Sequence, residues 1–164
     1  MKIEVRQARP TLDDTRTIHR FVCELAAYER EPDAVEATPE SLLAQMKNAS
    51  PPFECLLAES EGEPVGFALF FLSYSTWRGK PGLYVEDVYV PERLRGRGIG
   101  RSLFRELARV ALDRGCARLE LAVLEWNRPS IEFYEKLDAT ALDEWRLFRI
   151  DGDALERLAR GNHG

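Results

Sequence analysis

Between Tyr84 and Leu103 the chain reads YVEDVYVPERLRGRGIGRSL, and this stretch limits the fold more than any other. A β-rich run carrying two carboxylates, Glu86 and Asp87, enters a loop bearing Gly96, Gly98 and Gly100. That loop opens directly into an amphipathic helix. From Arg95 the pattern is Arg-x-x-Gly-x-Gly. Glycines permit close backbone approach and dihedrals that other residues avoid. Loop amides and a helix N-terminus together make an anion site suited to a pyrophosphate. Arg95, Arg97 and Arg101 surround it with positive charge.

Two other readings of the loop are weaker. A dinucleotide fingerprint is G-x-G-x-x-G with an acid about 20 residues on. Here the glycines run G-x-G-x-G, and Glu120 is the one acidic candidate in the expected place. A plain tight turn would explain the glycines but would need no arginines. A Gly-Lys-Ser/Thr phosphate loop is absent from the sequence.

Length and composition set the outer frame. With 164 residues, 45% of them hydrophobic, the chain is expected to form a single domain over 1–164. No apolar run approaches the roughly 18 residues of a membrane span, and MKIEVRQARP reads as a first strand rather than a signal peptide. Cys23, Cys55 and Cys116 are odd in number and lack C-x-x-C spacing, which suits reduced thiols and a cytoplasmic location. With His19 and His163 the only histidines, a His-based metal site is not expected. A net charge of −5 argues against nucleic acid and suits a cationic substrate.

Along the chain, Ile3 and Val5 alternate as a short strand. Thr11 can cap a helix with Ile18, Phe21, Val22, Leu25 and Ala26 on one face. Thr38-Pro39 starts a second helix. Phe53 to Glu59 and Val65 to Tyr74 are strands joined by a Glu61-Gly62 hairpin turn. Leu83 to Val90 is a fourth strand. The helix after the glycine loop carries Ile99, Leu103, Leu107, Val110 and Ala111 on one face and stops at Gly115. Ala117 to Leu124 is another strand, a short helix follows at about 128–137, and Trp145 to Ile150 is expected as a closing strand. Hairpins followed by a strand–helix–strand unit predict a mixed sheet, with parallel strands around the glycine loop.

At this point the residues resemble a known family. Arg-x-x-Gly-x-Gly between a strand and a helix resembles the acetyl-CoA pyrophosphate loop of the GCN5-related N-acetyltransferases. Asn127-Arg128-Pro129-Ser130-Ile131-Glu132-Phe133-Tyr134 is similar to the block that follows the fifth strand in that family. Leu25-Ala26-Ala27-Tyr28-Glu29, Val65-Gly66-Phe67-Ala68, Tyr74 with Trp77, Tyr84-Val85-Glu86-Asp87, Glu125-Trp126-Asn127 and Glu144 to Phe148 look like the spermidine/spermine N-acetyltransferase branch. The resemblance implies an α/β fold with a central mixed, mostly antiparallel sheet of about six to seven strands flanked by helices. It also implies acetyl-CoA as cosubstrate and no metal. The acceptor would be a small aliphatic amine, a polyamine or a lysine-like amino acid such as thialysine. The final strand and helix resemble elements that pair subunits there, which implies a homodimer. One departure stands out: Glu61-Gly62-Glu63-Pro64 closes tightly a connection that is longer in the polyamine enzymes.

Site residues carry over by position. The amides from Gly96 through Arg97, Gly98, Ile99 and Gly100 to Arg101, next to Arg95, would hold the pyrophosphate. The backbone of Val88, Tyr89 and Val90 would hold the pantetheine arm, with Asn127 and Ser130 also touching the cofactor. Tyr134 matches the tyrosine that protonates the departing thiolate. Glu86 matches the carboxylate that binds the amine and helps deprotonate it. Tyr28 and Glu29 match a substrate-binding pair, and Glu120, Leu121 and Ala122 match a substrate-lining segment.

The reaction asks for such groups. An amine with a pKa near 10.4 attacks only when neutral, so a carboxylate must take its proton directly or through water. Glu86, mid-strand among apolar residues, is expected to be desolvated and to point away from Asp87. The leaving thiolate, from a thiol of pKa about 8.5, can take a proton from tyrosine at about 10, a cost near 2 kcal/mol before tuning. No cysteine is paired with a base in sequence context, so direct attack is the expected course. A protein or antibiotic amine as acceptor, or a non-catalytic acetyl-CoA sensor, are the alternatives.

Overall fold

The computed structural model describes residues 2–161; His163 lies outside them. The chain divides into two compact units, one ending at Ala122 and the other beginning at Val123.

The first unit is built on a five-stranded sheet in the order β1-β2-β3-β4-β5, with β1 Glu4–Gln7, β2 Glu54–Ser60, β3 Glu63–Ser75, β4 Lys80–Tyr89 and β5 Leu119–Leu121. The first four strands pair antiparallel, and β4 pairs parallel with β5. A parallel neighbour needs a crossover, and helix α3 (Ile99–Asp113) supplies it. The β2–β3 turn has Glu61 at φ 54° and Gly62 at φ 83°. Both are left-handed, as a two-residue hairpin matched to strand twist requires.

Helices α1 (Leu12–Tyr28) and α2 (Pro39–Met46) start where side-chain caps predict. Thr11 accepts from the Asp14 amide, and Thr38 exchanges bonds with Ser41. Arg6 forks onto Asp14 at 2.7 and 2.9 Å and reaches Glu59 at 2.8 Å. Those bonds tie β1, β2 and the start of α1 together and hold the Asp14 carboxyl below its ordinary range.

Strand alternation sorts the core into two layers. Leu56, Ala58, Val65, Ala68, Phe70, Leu83 and Val85 pack with Ile99, Leu103, Leu107 and Ala111 of α3. Cys55, Leu57, Phe67, Leu69 and Tyr89 pack with Ile18, Phe21 and Leu42 of α1 and α2. Gly66 lets the layers meet: a Cβ there would lie 3.0 Å from the Tyr89 carbonyl oxygen and 3.2 Å from both Ile99 and Val90 methyls.

The second unit contains α4 (Arg128–Glu135) and α5 (Gly152–Ala159). Two expectations change here. The run from Ala117 to Leu124 shortens to Leu119–Leu121, and Trp145 to Ile150 does not form a strand. A strand needs a partner edge to satisfy its backbone, and none pairs with 145–150 among the described residues. Trp145, Leu147, Phe148 and Ile150 of that run are exposed. The sheet therefore has five strands where six to seven were expected, with the mixed α/β class intact.

Candidate active site

The glycine loop leaves β4 through Pro91 and a tight helical turn at Glu92–Leu94, and ends at the N-terminus of α3. Gly96 has φ 74°, and Gly98, the N-cap, has φ 85° and ψ 0°. A Cβ at either would meet nothing within 4 Å. Left-handed backbone, not crowding, is what demands glycine there. Gly98 brings no side chain to cap α3, and the helix has no acid in its first turn. No side chain caps its leading amides, which leaves them available as donors to an anion. Arg97 and Arg101 are exposed beside them. Arg95 behaves differently. Its Nε donates to the Val90 carbonyl at 3.0 Å, and its guanidinium lies 4.4 Å from the Tyr28 ring centroid.

The strand before the loop has one paired and one open edge. Pairing with β3 continues to Phe67–Tyr89, whereas pairing with β5 ends at Val85–Leu121. Among the described residues, β4 from Glu86 to Tyr89 thus has no strand on its β5 side. Val88, Tyr89 and Val90 lie where an extended amide-bearing arm could add itself to the sheet.

A β-bulge gives β4 its chemistry. Asp87 opposes Leu69 and Val85 opposes Phe70, leaving Glu86 as an extra residue. Leu83 and Val85 face α3, and Val88 and Val90 pack on that layer again. The two residues between, Glu86 and Asp87, therefore both fall on the α1 side. That corrects the expectation of opposite faces. Glu86 is also exposed rather than enclosed; the enclosed carboxyl is Asp87. Burial, then the neighbouring Glu86 and Glu29 carboxylates, push Asp87 up to about 6. Glu29, the C-cap of α1, is pushed upward by burial. Tyr84 is raised by burial, Glu86 and Glu120. Glu120 sits opposite Tyr84 and pairs with Arg118 at 2.9 Å, and Leu121 sits opposite Val85. An open cleft of about 510 Å³ lies alongside, lined by Glu24, Tyr28, Tyr89, Pro91, Glu92 and Arg93.

In the second unit, buried Asn127 accepts from the Ser130 amide at 3.4 Å and caps α4. The half-buried Tyr134 lies on that helix, its ring edge-on to Phe133 at 5.6 Å.

Residues 18–139 match the Acetyltransferase (GNAT) family. The chain belongs to that family. This GNAT protein is an N-acetyltransferase of the spermidine/spermine N-acetyltransferase-like branch. It is similar to thialysine N-epsilon-acetyltransferase of Bos taurus, 40% identical over 168 residues that cover 96% of this chain and 97% of that one. It is also similar to spermidine/spermine N(1)-acetyltransferase-like protein 1 of Homo sapiens, 35% identical over 89% of this chain but 22% of that longer protein. Among solved structures, an integron cassette protein from the mobile metagenome of V. cholerae shares the fold, with a TM-score of 0.79 at 24% identity over 98% of this chain and 99% of that one.

Within the first unit, the GNAT fold brings Tyr28, Glu29, Glu86 and Glu120 to the α1 face of the sheet. The loop from Gly96 to Arg101 continues the same strand. Asp87 is the residue that strand alternation misassigned. Its position follows from the bulge, and a bulge leaves no mark in residue types. Among the described residues no cluster of His, Cys, Asp and Glu could hold a metal ion, and no helix is long and apolar enough to cross a membrane.

Proposed function

We propose that this protein transfers the acetyl group of acetyl-CoA to a primary amine of a small aliphatic substrate, a polyamine or a lysine-like amino acid such as thialysine. The observation that carries the reading is the gathering of Glu86, Asp87 and Glu29 on one side of a bulged strand that runs straight into an anion-binding loop. A cation and a diphosphate are thereby served by successive segments of one chain. The thialysine acetyltransferase relative, alike over nearly its whole length, supports an amine acceptor of this size.

Acetyl-CoA, when bound, supplies an acetyl thioester. The amides from Gly96 to Arg101 would receive its pyrophosphate, and the open edge at Val88 to Val90 its pantetheine arm, with Asn127 and Ser130 as further contacts. Tyr28, Glu29 and the 120–122 segment would seat the amine. Glu86, exposed and so able to reach solvent, accepts the ammonium proton directly or through water. With acetyl-CoA bound, the N–C bond would form as the C–S bond breaks; the Tyr134 hydroxyl would give its proton to sulfur, and the excess proton on the new amide nitrogen would leave through water and restore the tyrosine hydroxyl. Exposed Trp145, Leu147 and Phe148 suit association with a second copy, so we read the active form as a homodimer.

The test is free-thiol release from acetyl-CoA at pH 7.5–8.5 with spermidine, spermine, putrescine, lysine, thialysine and a histone-tail peptide. A response to a diamine or lysine-like substrate is the expected result. Response to the peptide alone would redirect the reading to a protein acceptor. Acetyl-CoA binding with no turnover on any amine would indicate a sensor.

A further inference from the structure

Arg95 opens the Arg-x-x-Gly-x-Gly pattern, yet its guanidinium does not join Arg97 and Arg101 beside the anion site. It turns toward α1. Its Nε donates to the Val90 carbonyl at 3.0 Å. The guanidinium carbon sits 4.4 Å from the Tyr28 ring centroid and 6.0 Å from that of Tyr89. Its ion pair with Glu92 is loose, at 3.8 Å. Tyr89 also packs against Phe21, 6.2 Å between ring centroids.

The consequences follow from geometry. Tyr28 is the last residue of α1, and the helix is closed just beyond it by Arg30 at φ 67° and the Glu31 amide on the Ala26 carbonyl at 2.9 Å, so its backbone is fixed and the orientation of its ring depends on what packs against it. A guanidinium over its ring restrains it through cation–π attraction. The same guanidinium is anchored to the carbonyl of Val90, the residue that follows β4. An arginine suits both tasks at once, because its planar fork stacks and donates together, whereas a lysine ammonium does not.

We propose that Arg95 is a positioning residue for the amine: it fixes Tyr28 against the end of β4 and so sets the cleft wall on which the substrate binds. This rests on the acetyltransfer reading above and on a substrate role for Tyr28. Arg95 then serves the amine through its side chain, while the loop amides after it serve the cofactor.

The experiment compares wild type, Arg95→Met, Arg95→Lys, Tyr28→Leu and the Arg95→Met/Tyr28→Leu double variant. Amine KM and kcat are measured with the best amine of the panel, acetyl-CoA Kd by calorimetry, and folding by circular dichroism. Arg95→Met and Tyr28→Leu are each expected to raise the amine KM about fivefold, with kcat and acetyl-CoA Kd held within about twofold. The double variant should be no worse than Tyr28→Leu alone, since both remove one arrangement. Arg95→Lys should recover part of the loss by keeping a cation over the ring. If Arg95→Met does not fold, Arg95→Lys and Tyr28→Leu carry the KM comparison.

Two results overturn the inference while leaving the acetyltransfer reading intact. One is additive KM effects in the double variant. The other is a tenfold loss of acetyl-CoA affinity in Arg95→Met with amine KM unchanged, which would return the guanidinium to the pyrophosphate. A wild type that acetylates no amine overturns the reading, and the inference with it.

Discussion

The two ends of the β4 segment deal with charge in opposite ways. At the loop end, glycines at positive φ and an uncapped helix start present backbone amides. At the bulge, side-chain carboxylates gather, with Glu86 and Asp87 on one side and Glu29 near them. An anion site of backbone amides does not titrate and depends on dihedral angles. A cation site of carboxylates titrates and depends on which face each residue takes. Changes of backbone shape should therefore damage the first end, and changes of pH or side-chain charge the second.

The largest expected effect belongs to neither end. Tyr134→Phe keeps the amides and the carboxylates and removes one hydroxyl. Turnover should fall about 10²-fold with acetyl-CoA affinity nearly unchanged, as measured by steady-state kinetics and calorimetry. Normal turnover would remove the general-acid role and leave the two ends as the whole of the chemistry.

Next comes Gly98→Val, which puts a β-branched residue at φ 85°. Acetyl-CoA affinity should weaken by about 30-fold, because straining or reshaping the N-cap costs on the order of 2 kcal/mol. The amine KM should move far less. Unaltered cofactor affinity in calorimetry would mean the loop amides do not hold the diphosphate.

Asp87→Asn sharpens the other half of the comparison. A carboxyl raised to about 6 in the folded state binds more protons there than in the unfolded chain, across roughly pH 4 to 6. Stability from this group is therefore lost as pH rises through that window, and above it the folded state carries a half-buried charge among like charges. Asp87→Asn should stabilise the ligand-free protein at pH 8 by roughly 1–3 kcal/mol and leave it little changed at pH 4. Urea unfolding at the two pH values measures the difference. Equal effects at both would show that Asp87 is not perturbed in the way its surroundings suggest.

How much of this was legible beforehand follows the same division. The loop could be read because its determinants are local: glycines at fixed offsets, an apolar period of four from Ile99 to Ala111, and a Gly115 stop. The helix starts at Thr11 and Thr38 were legible for the same reason. The relation of Glu86 to Asp87 was not, because alternation assumes a regular ladder, and the extra residue exists only as a mismatch between β3 and β4. The 145–150 run misled in the other direction. Its alternating Trp145, Leu147 and Arg149, Arg146, Phe148 and Ile150 have β character, but a strand is a property of two edges, and the residues alone name one. Arg95 was read with its neighbours as positive charge for the loop. Its actual partner, Tyr28, lies in a helix far away along the chain, and only tertiary structure pairs them.

The smallest effect is the most direct contest between amides and charge. Arg101 lies in the first turn of α3, exposed to solvent, and Arg101→Gln keeps helix propensity and length while removing the charge. If backbone donors do most of the holding, acetyl-CoA affinity should drop only about twofold to threefold, the usual scale of a solvent-screened ionic contact. The loss should shrink as salt is raised, because exposed charges are screened within about 10 Å at 0.1 M ionic strength. The Gly98→Val loss should persist at high salt, since it arises from backbone shape. A deficit in Arg101→Gln as large as that of Gly98→Val, and shrinking as salt is raised, would mean that side-chain charge holds the diphosphate and that both ends of β4 work by the same means.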